Sequence, residues 1–435
     1  MTSPAVTGSE PAAPEPDKLR DDLARGRGWC GERRQSGWHR AGRAGSVTPP
    51  SYALGMVKFL HTADWQLGMT RHFLADEAQA RFSGARIDAV RRIGALATDE
   101  GCGFVVVCGD VFETNQVSRQ VVVRALGAMA ATPDVTFYLL PGNHDPLDAA
   151  SVYGSPTFSK HRPANVVVLG DSVPVDVAPG VELVAAPWFN KHPTTDLVAG
   201  ACEGLEPTGA IRIIAGHGAL DSMSPDRDNP ALIGLERVEG LLRAGSIHYV
   251  ALGDRHSTTE VGRSERIWYS GAPEPTDYDE TDPGNVVVVE LDAAEGRVGV
   301  DVRTVGVWRF VRREWELSGD RDIERLAHWL GGLADKERTI LKLALVGQVS
   351  LAQKARLDSL LDDHTDPFAA LETWERRSDL AVLPDDADVD DLGLSGFAAE
   401  TLDDLRGLAA ASDEGRAVVA QDALALLHRL AGRNG

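Results

Sequence analysis

The stretch Leu140-Pro141-Gly142-Asn143-His144-Asp145 gathers three polar chemistries at the end of an apolar run, Val135-Thr136-Phe137-Tyr138-Leu139. β-Branched and aromatic residues in that run read as a buried strand, which Pro141 and Gly142 stop and turn. Asn143, His144 and Asp145 therefore emerge at a strand's C-terminal end, where open α/β sheets place ligand sites. They offer an amide oxygen for a cation, an imidazole to carry a proton and a carboxylate to orient the imidazole. The same residues also make a plain polar turn, because asparagine tolerates left-handed backbone. One stretch alone does not separate the two readings.

Four more strand ends do. Phe59-Leu60 leads to Asp64 and Gln66, and Phe104-Val105-Val106-Val107 leads to Asp110. Ile211-Arg212-Ile213-Ile214 leads to His217, and Tyr249-Val250-Ala251-Leu252 leads to Asp254 and His256. Gly109, Gly142, Gly216 and Gly253 stand beside four of these groups and let backbone approach closely. Taken singly, each has an ordinary explanation, a hydrogen-bonded core histidine or a Gly-Asp turn. Five in succession point to a shared centre. Mixed oxygen and nitrogen donors suit Mn, Fe or Zn better than Ca or Mg alone.

The elements that must position these residues alternate from Met56 onward. Ile87, Val90, Ile93 and Leu96 predict a helix over 85–97, and a second helix is expected around Ser118 to Met129. Val286–Leu291 and Val298–Val302 read as closing strands, and Asp221–Pro230 as a surface loop. Around Val305 the texture changes to a small α+β unit. It comprises a strand near Trp308–Leu317, a helix over Asp322–Leu333, a half-buried strand at Leu341, Leu343 and Leu345, and a helix capped by Ser350. Ser378 to Leu405 holds nine acids and no Lys or Arg, which reads as a solvated connection. A last helix over Arg416–Leu430 aligns Val419, Leu426 and Leu430 on one face, for a partner or for the preceding unit. The expected division is a disordered extension over 1–55, a catalytic domain over 56–305, a cap over 306–385 and a partner-binding segment over 386–435.

Composition narrows the functional classes. The chain has 435 residues, 43% of them hydrophobic, which suits a globular protein of two or three domains. No apolar run reaches the ~18 residues that cross a membrane. The four cysteines form no Cys-x-x-Cys pair, so reduced thiols and a cytoplasmic location are expected. A net charge of -21 excludes a protein that coats nucleic acid by bulk charge, though not one that grips it locally.

The order His61-Thr62-Ala63-Asp64-Trp65-Gln66-Leu67-Gly68, Gly109-Asp110-Val111-Phe112-Glu113, Gly142-Asn143-His144-Asp145, Gly216-His217 and Gly253-Asp254-Arg255-His256 resembles the calcineurin-like metallophosphoesterases. The opening motif, the second motif and Tyr269-Ser270-Gly271-Ala272-Pro273-Glu274-Pro275 resemble their DNA-repair exonuclease branch, the SbcD/YhaO type. The likeness covers residues 56–305. Beyond them it is one of texture with the family's DNA-capping domain, and of position with the helices that dock on a coiled-coil ATPase of SbcC/YhaN type.

The resemblance implies an α/β fold, a β-sandwich flanked by helices with a small cap and C-terminal helices, and two divalent ions, Mn by preference. Asp110 would bridge the ions. Asp64, His256 and Gln66, the last in place of a family histidine, would hold the first. Asn143, His217 and Asp254, the last again in place of a histidine, would hold the second. His144 would be the general acid and Asp145 its orienting group. The expected function is a metal-dependent phosphodiesterase of DNA; a homodimer is left open. A scaffold protein without activity, or an enzyme for small nucleotides or phosphoproteins, are the alternatives.

Overall fold

A computed structural model of the chain describes residues 56–292, 297–383 and 397–409, with scattered positions from 415 to 426. The extension expected over 1–55 lies outside the described residues, as does Leu430.

The site-bearing strands fall into two six-stranded sheets. The first contains β1 (Met56–Thr62), β2 (Phe104–Cys108), β3 (Thr136–Leu140), β4 (Val166–Val168), and the later β11 (Asn285–Asp292) and β12 (Arg297–Thr304). Its order is β12-β11-β1-β2-β3-β4, with β1 to β4 parallel and β11 antiparallel to β1. The second contains β5 (Val175–Ala178), β6 (Val181–Ala185), β7 (Ile211–His217), β8 (Tyr249–Gly253), β9 (Thr259–Val261) and β10 (Ile267–Tyr269), in the order β5-β6-β7-β8-β10-β9. The central strands are apolar throughout because both of their faces are covered. On β2, Phe104, Val106 and Cys108 meet the second sheet, while Val105 and Val107 meet helices, the two-residue period of a strand.

Phe59 stacks on Phe104 at 5.2 Å and meets Tyr249 edge-on at 5.6 Å, so one aromatic cluster joins the sheets. Helices α1 (Asp76–Asp99) and α2 (Arg119–Ala130) close the outer face of the first sheet through Ile87, Val90, Ile93, Leu126 and Met129. The short α3 (Pro156–His161) adds Phe158 to that same layer, and the outer face of the second sheet is closed by α4 (Leu197–Ala201) and α5 (Leu235–Ala244). Ser118 caps α2 by accepting from the Val121 amide. The result is a β-sandwich flanked by helices. No helix among the described residues is long and apolar enough to cross a membrane.

A third sheet follows: β13 (Arg309–Leu317), β14 (Thr339–Ser350), β15 (Ala370–Thr373) and β16 (Asp379–Leu383), all parallel to β14. Helix α6 (Asp320–Gly332) and helix α7 (Leu351–Thr365), with a full capping box from Ser350 and Gln353, are its crossovers. β14 is buried on both faces around Leu343, Ala344 and Leu345, not half-buried, because it pairs on both edges and is covered by helices. The acidic stretch after Ser378 is not a solvated connection over its described parts. Leu380 and Val382 alternate into β16, and α8 (Phe397–Ala409) buries Leu402 and Ala409 in the core of the third sheet. Ala420 and Leu424 join that core, while Val419 and Leu426 stay 68% and 46% exposed.

One ion-pair network ties α1 to the first sheet. Glu100, at the end of α1, accepts from Lys58 of β1 at 2.9 Å and from Arg303 of β12 at 3.1 Å, and Lys58 also meets Glu290 at 3.0 Å. The Lys58 hydrogen bond, ahead of that of Arg303, holds the Glu100 carboxyl below its ordinary value. Its stabilisation is therefore complete above the usual carboxylate range and lost as pH falls through the lowered folded value. Glu100→Gln is expected to cost about 0.5–1 kcal/mol at neutral pH and progressively less as pH falls through the lowered folded value. Urea unfolding across that acid range checks this, and a loss that does not change with pH would show that packing, not charge, is what the mutation removes.

Candidate metal centre

All five ligand-bearing strand ends open onto one point at the C-terminal rim of the two sheets. Asp64 follows β1, Asp110 follows β2 and Asn143 follows β3, while His217 ends β7 and Asp254 follows β8. Asp64, Asp110 and His217 are buried, with one ligand atom of each lying within 4.8 Å of the others. His217 Nε2 faces Asn143 Oδ1 at 2.6 Å, Asp110 Oδ1 at 3.5 Å and Asp254 Oδ1 at 3.8 Å. The Asp254 amide donates to both oxygens of Asp64 at 3.1 Å. Gln66 Nε2 stands 3.3 Å from His256 Nε2.

The backbone is strained at these same residues. Among the described residues, six non-glycines have positive φ, and four of them are Asp64 (55°), Gln66 (44°), Asp110 (52°) and Asp254 (93°). Such conformations cost of order 1–3 kcal/mol each and persist only where neighbours over-determine them. Here the Asp64 amide donates to the Gly109 carbonyl at 3.1 Å, and the Gln66 amide to the Asp110 carbonyl at 2.8 Å. Gly142 and Gly109 supply room, because a Cβ on the first would run into the Asp110 carboxylate and on the second into the His217 ring.

Charge balance indicates what the cluster lacks. Burial pushes the Asp64 carboxyl up to about 7, with Asp110 and Asp254 adding to the rise and His256 and His217 opposing it. Burial works against charge on His217, yet Asp110, Asp64 and Asp254 outweigh it and raise the imidazole to about 9. His217 Nδ1 donates to the Cys108 carbonyl at 2.9 Å, and its other nitrogen meets the Asn143 oxygen at 2.6 Å, a contact that takes a second proton on the ring. Gln66 Oε1 is buried without a partner. Converging carboxylates, an amide oxygen and imidazoles, with protons held on Asp64 and His217 in place of another positive charge, make a donor set that fits divalent cations. Ion uptake would displace those protons.

His144 stands at the mouth, its side chain 38% exposed and its Nε2 4.0 Å from Asp110 Oδ2. Its Nδ1 is 2.9 Å from the Glu113 carbonyl, which can only accept. This corrects the expected role of Asp145, which does not touch the imidazole. Asp145 is fully buried and accepts from the Phe112 amide at 3.0 Å, the Tyr153 hydroxyl at 2.6 Å and the Gly142 amide at 2.8 Å. It pins the turn that presents Asn143 and His144, while the Glu113 carbonyl orients the ring. Burial, reinforced by Asp110, raises the Asp145 carboxyl to about 6.

Sequence reasoning also passed over Glu280, whose Oε1 lies 2.9 Å from His256 Nδ1, and Arg86, which is buried and donates to the Trp65 and Pro275 carbonyls. The spacing of the metal-type motifs carries no signal for either. His61, by contrast, is a core histidine. Burial lowers it to about 3, and it bridges to the Tyr249 hydroxyl and the Leu252 carbonyl of the second sheet. A cleft of about 550 Å³ leads in, lined by Gln66, Arg71, His144, Asp254, His256 and Glu280 among others.

Residues 57–258 match the calcineurin-like phosphoesterase family. The chain carries a calcineurin-like metallophosphoesterase domain, the domain of a hydrolase family. It is 26% identical over 281 residues to the SbcD component of the SbcCD nuclease of Rhodobacter capsulatus, covering 55% of this chain and 67% of that protein. With the SbcD component of the SbcCD nuclease of Bacillus subtilis it shares 23% over 332 residues, or 69% of this chain and 82% of the other. Among solved structures, a dimetal phosphatase from Danio rerio matches 58% of this chain and 99% of its own at 15% identity, with a TM-score of 0.34.

If the centre holds two cations that share Asp110, Asp110→Asn is expected to lose both, because the shared carboxylate loses its charge. His144→Ala is expected to bind both ions yet lose about 10²–10⁴-fold in turnover of a phosphodiester, the range for a lost general acid. Calorimetric Mn titration beside hydrolysis of bis-p-nitrophenyl phosphate checks the pair. Two ions retained by Asp110→Asn would sink the shared-carboxylate assignment, and undiminished turnover in His144→Ala would sink the general-acid role.

Proposed function

We propose that the protein is a metal-dependent phosphodiesterase acting on DNA, the nuclease subunit of a complex with a coiled-coil ATPase of SbcC/YhaN type. The observation that carries this reading is the convergence of oxygen and nitrogen donors, four of them on strained backbone, beneath a partly exposed histidine. The two nuclease relatives support the substrate class and the partner.

In this reading Asp64, Gln66, Asp110 and His256 hold one cation, and Asp110, Asn143, His217 and Asp254 the other. Bound divalent ions supply an acidified water and positive charge against the phosphate oxygens. The chain's own residues do the rest. Asp110 would be shared by the two sites; its Oδ1 lies 3.5 Å from His217 Nε2 and also accepts the His144 amide at 3.0 Å, which fixes the acid beside the centre. With Nδ1 committed to the Glu113 carbonyl, His144 Nε2 is left to deliver a proton to the leaving oxygen. Glu113, Asp254 and Glu280 line the same cleft, so an approaching phosphate meets a site whose net charge is acceptable only once cations are bound.

The third sheet favours an extended substrate over a small one. Its Arg312 and Arg377 lie over the Trp374 ring at 5.4 and 5.7 Å, and Arg312 also reaches Tyr278, whose neighbours Asp277 and Asp279 line the cleft. Cations stacked on aromatic faces beside the mouth suit a sugar-phosphate backbone and its bases, local charge in a chain that is acidic overall.

Mn-dependent cleavage of linear duplex DNA is the test. Trp374→Ala with Arg377→Ala is expected to raise KM for DNA several-fold and leave hydrolysis of bis-p-nitrophenyl phosphate unchanged. Equal loss on both substrates, or no cleavage of DNA by wild-type protein, would reject the DNA reading. A second arm concerns the partner. Val419→Asp with Leu426→Asp is expected to abolish co-purification with the ATPase and leave the melting temperature of the isolated protein within about 2 °C, as surface changes do. Unfolding of the double variant would return that face to the core of the third sheet.

A further inference from the structure

His256 is held differently from His217, and that difference carries a residue role. His217 Nδ1 is fixed by a backbone carbonyl inside the sandwich. The Nδ1 of His256 meets two side chains, Thr276 Oγ1 at 2.7 Å and Glu280 Oε1 at 2.9 Å. The Thr276 hydroxyl itself donates to Glu280 Oε1, so its hydrogen is committed and its oxygen faces the ring as an acceptor. Two acceptors on Nδ1 require that this nitrogen carry the proton. Nε2 is then the bare nitrogen, and the Gln66 amide N–H is the group that meets it.

We propose that Glu280 is the positioning residue of the first cation site: by holding His256 Nδ1–H it presents Nε2 to the ion and so sets how well that site fills. The role deepens the metal-dependent reading above and rests on it. Gln66 is the competing partner. Its Nε2 occupies the histidine's free nitrogen while its Oε1 lies buried and unpartnered. Half a turn of the amide exchanges the two atoms, which clears Nε2 and gives the orphan oxygen a cation to meet. Glu280 biases that exchange, because a carboxylate on Nδ1–H makes the imidazole a stronger donor to a metal.

The carboxylate is itself gripped. The Thr276 amide donates to Glu280 Oε1 and Oε2 at 3.1 and 2.9 Å, closing a tight loop over Thr276–Glu280. The residues between are anchored on the third sheet. Arg312 of β13 donates to the Tyr278 carbonyl at 2.6 Å and pairs with Asp279, and the Tyr278 hydroxyl meets Glu372 of β15 at 3.4 Å. On the other side Arg86 donates to the Pro275 carbonyl at 2.8 Å and to the Trp65 carbonyl at 3.1 Å, joining this loop to the one that carries Gln66. Glu280 is thus the link between a loop strapped to the third sheet and a ligand of the candidate centre.

The test is calorimetric titration of full-length protein with MnCl₂, with free Mn(II) followed by electron paramagnetic resonance, for wild type, Glu280→Gln and Glu280→Ala. Wild type is expected to take two ions. Glu280→Ala is expected to bind one ion with wild-type affinity and the other about 10–100-fold more weakly, the range for a lost carboxylate behind a ligating histidine. Glu280→Gln, which still accepts from Nδ1–H but carries no charge, is expected to fall between. The undisturbed ion is the control for folding. Loss of both ions together would make Glu280 merely structural, and unchanged affinity for both would overturn the role outright. Wild type that binds a single ion overturns this role together with the two-ion reading. Wild type that binds two ions but leaves DNA uncut rejects the nuclease reading alone, and the variants still decide the role of Glu280.

Discussion

Two carboxylates and an imidazole, Asp64, Asp110 and His217, share a few ångströms of space between two sheets with almost no access to water. In such surroundings like charges repel strongly and each desolvated ion is unfavourable, so the group is tolerable only with protons or cations among its members. The rest of the domain answers to that constraint. Glycines at 109, 142 and 253 remove the Cβ atoms that would collide with it, and left-handed backbone at three acids and Gln66 aims their side chains inward. Backbone donors from Asp254 and His144 take up the oxygens that face the protein. Local strain of this kind is sustained only because the sandwich beneath is rigid and closely packed.

The centre belongs to neither sheet. The first supplies Asp64, Asp110 and Asn143, and the second supplies His217, Asp254 and His256. Their spacing is therefore set by the packing between sheets, by Phe59 against Tyr249 and by His61 bridging to Leu252. A core substitution that shifts one sheet by half an ångström would alter the separation of the donors as directly as a change of a donor itself. Neutral His61, buried and doubly hydrogen-bonded, shows that a histidine in the same motif as Asp64 and Gln66 serves the architecture and not the chemistry.

The central strands were legible because a strand covered on both faces must be apolar along its length, and each ends abruptly at a polar group. The strands β4, β5, β9 and β10 lay outside that signal, being only three or four residues long, and Glu182 breaks the apolar run of β6. β16 hid among acids, because Leu380 and Val382 alone carry its buried face. At the site, residue types announced the donors, but hydrogen-bond partners are chosen by the fold. The Glu113 carbonyl that orients His144 has no side-chain signature at all, and Asp145, the apparent orienting group, is turned toward Phe112, Tyr153 and Gly142. Glu280 lies 24 residues from His256 in a loop whose sequence reads as ordinary turn.

The two halves of the centre are supported to different standards, and the difference has a physical consequence. The half around His217 is braced by main chain: the Cys108 carbonyl behind the ring and β2 behind the carbonyl, in a core where every residue of β2 is buried. Main-chain braces move only if a sheet moves. The half around His256 is braced by side chains on a loop, by Thr276 and Glu280 at one end and by Tyr278 and Asp279 on the third sheet at the other. Side-chain braces yield to small displacements, and a neutral amide at Gln66 adds less attraction than an imidazole to hold an ion in place. Stiffness and donor strength thus fall together on the same side. In a two-cation reading the half around His217 would remain filled, while the other would follow the position of the third sheet, so that whatever seats on Arg312, Trp374 and Arg377 bears on the chemistry through Glu280.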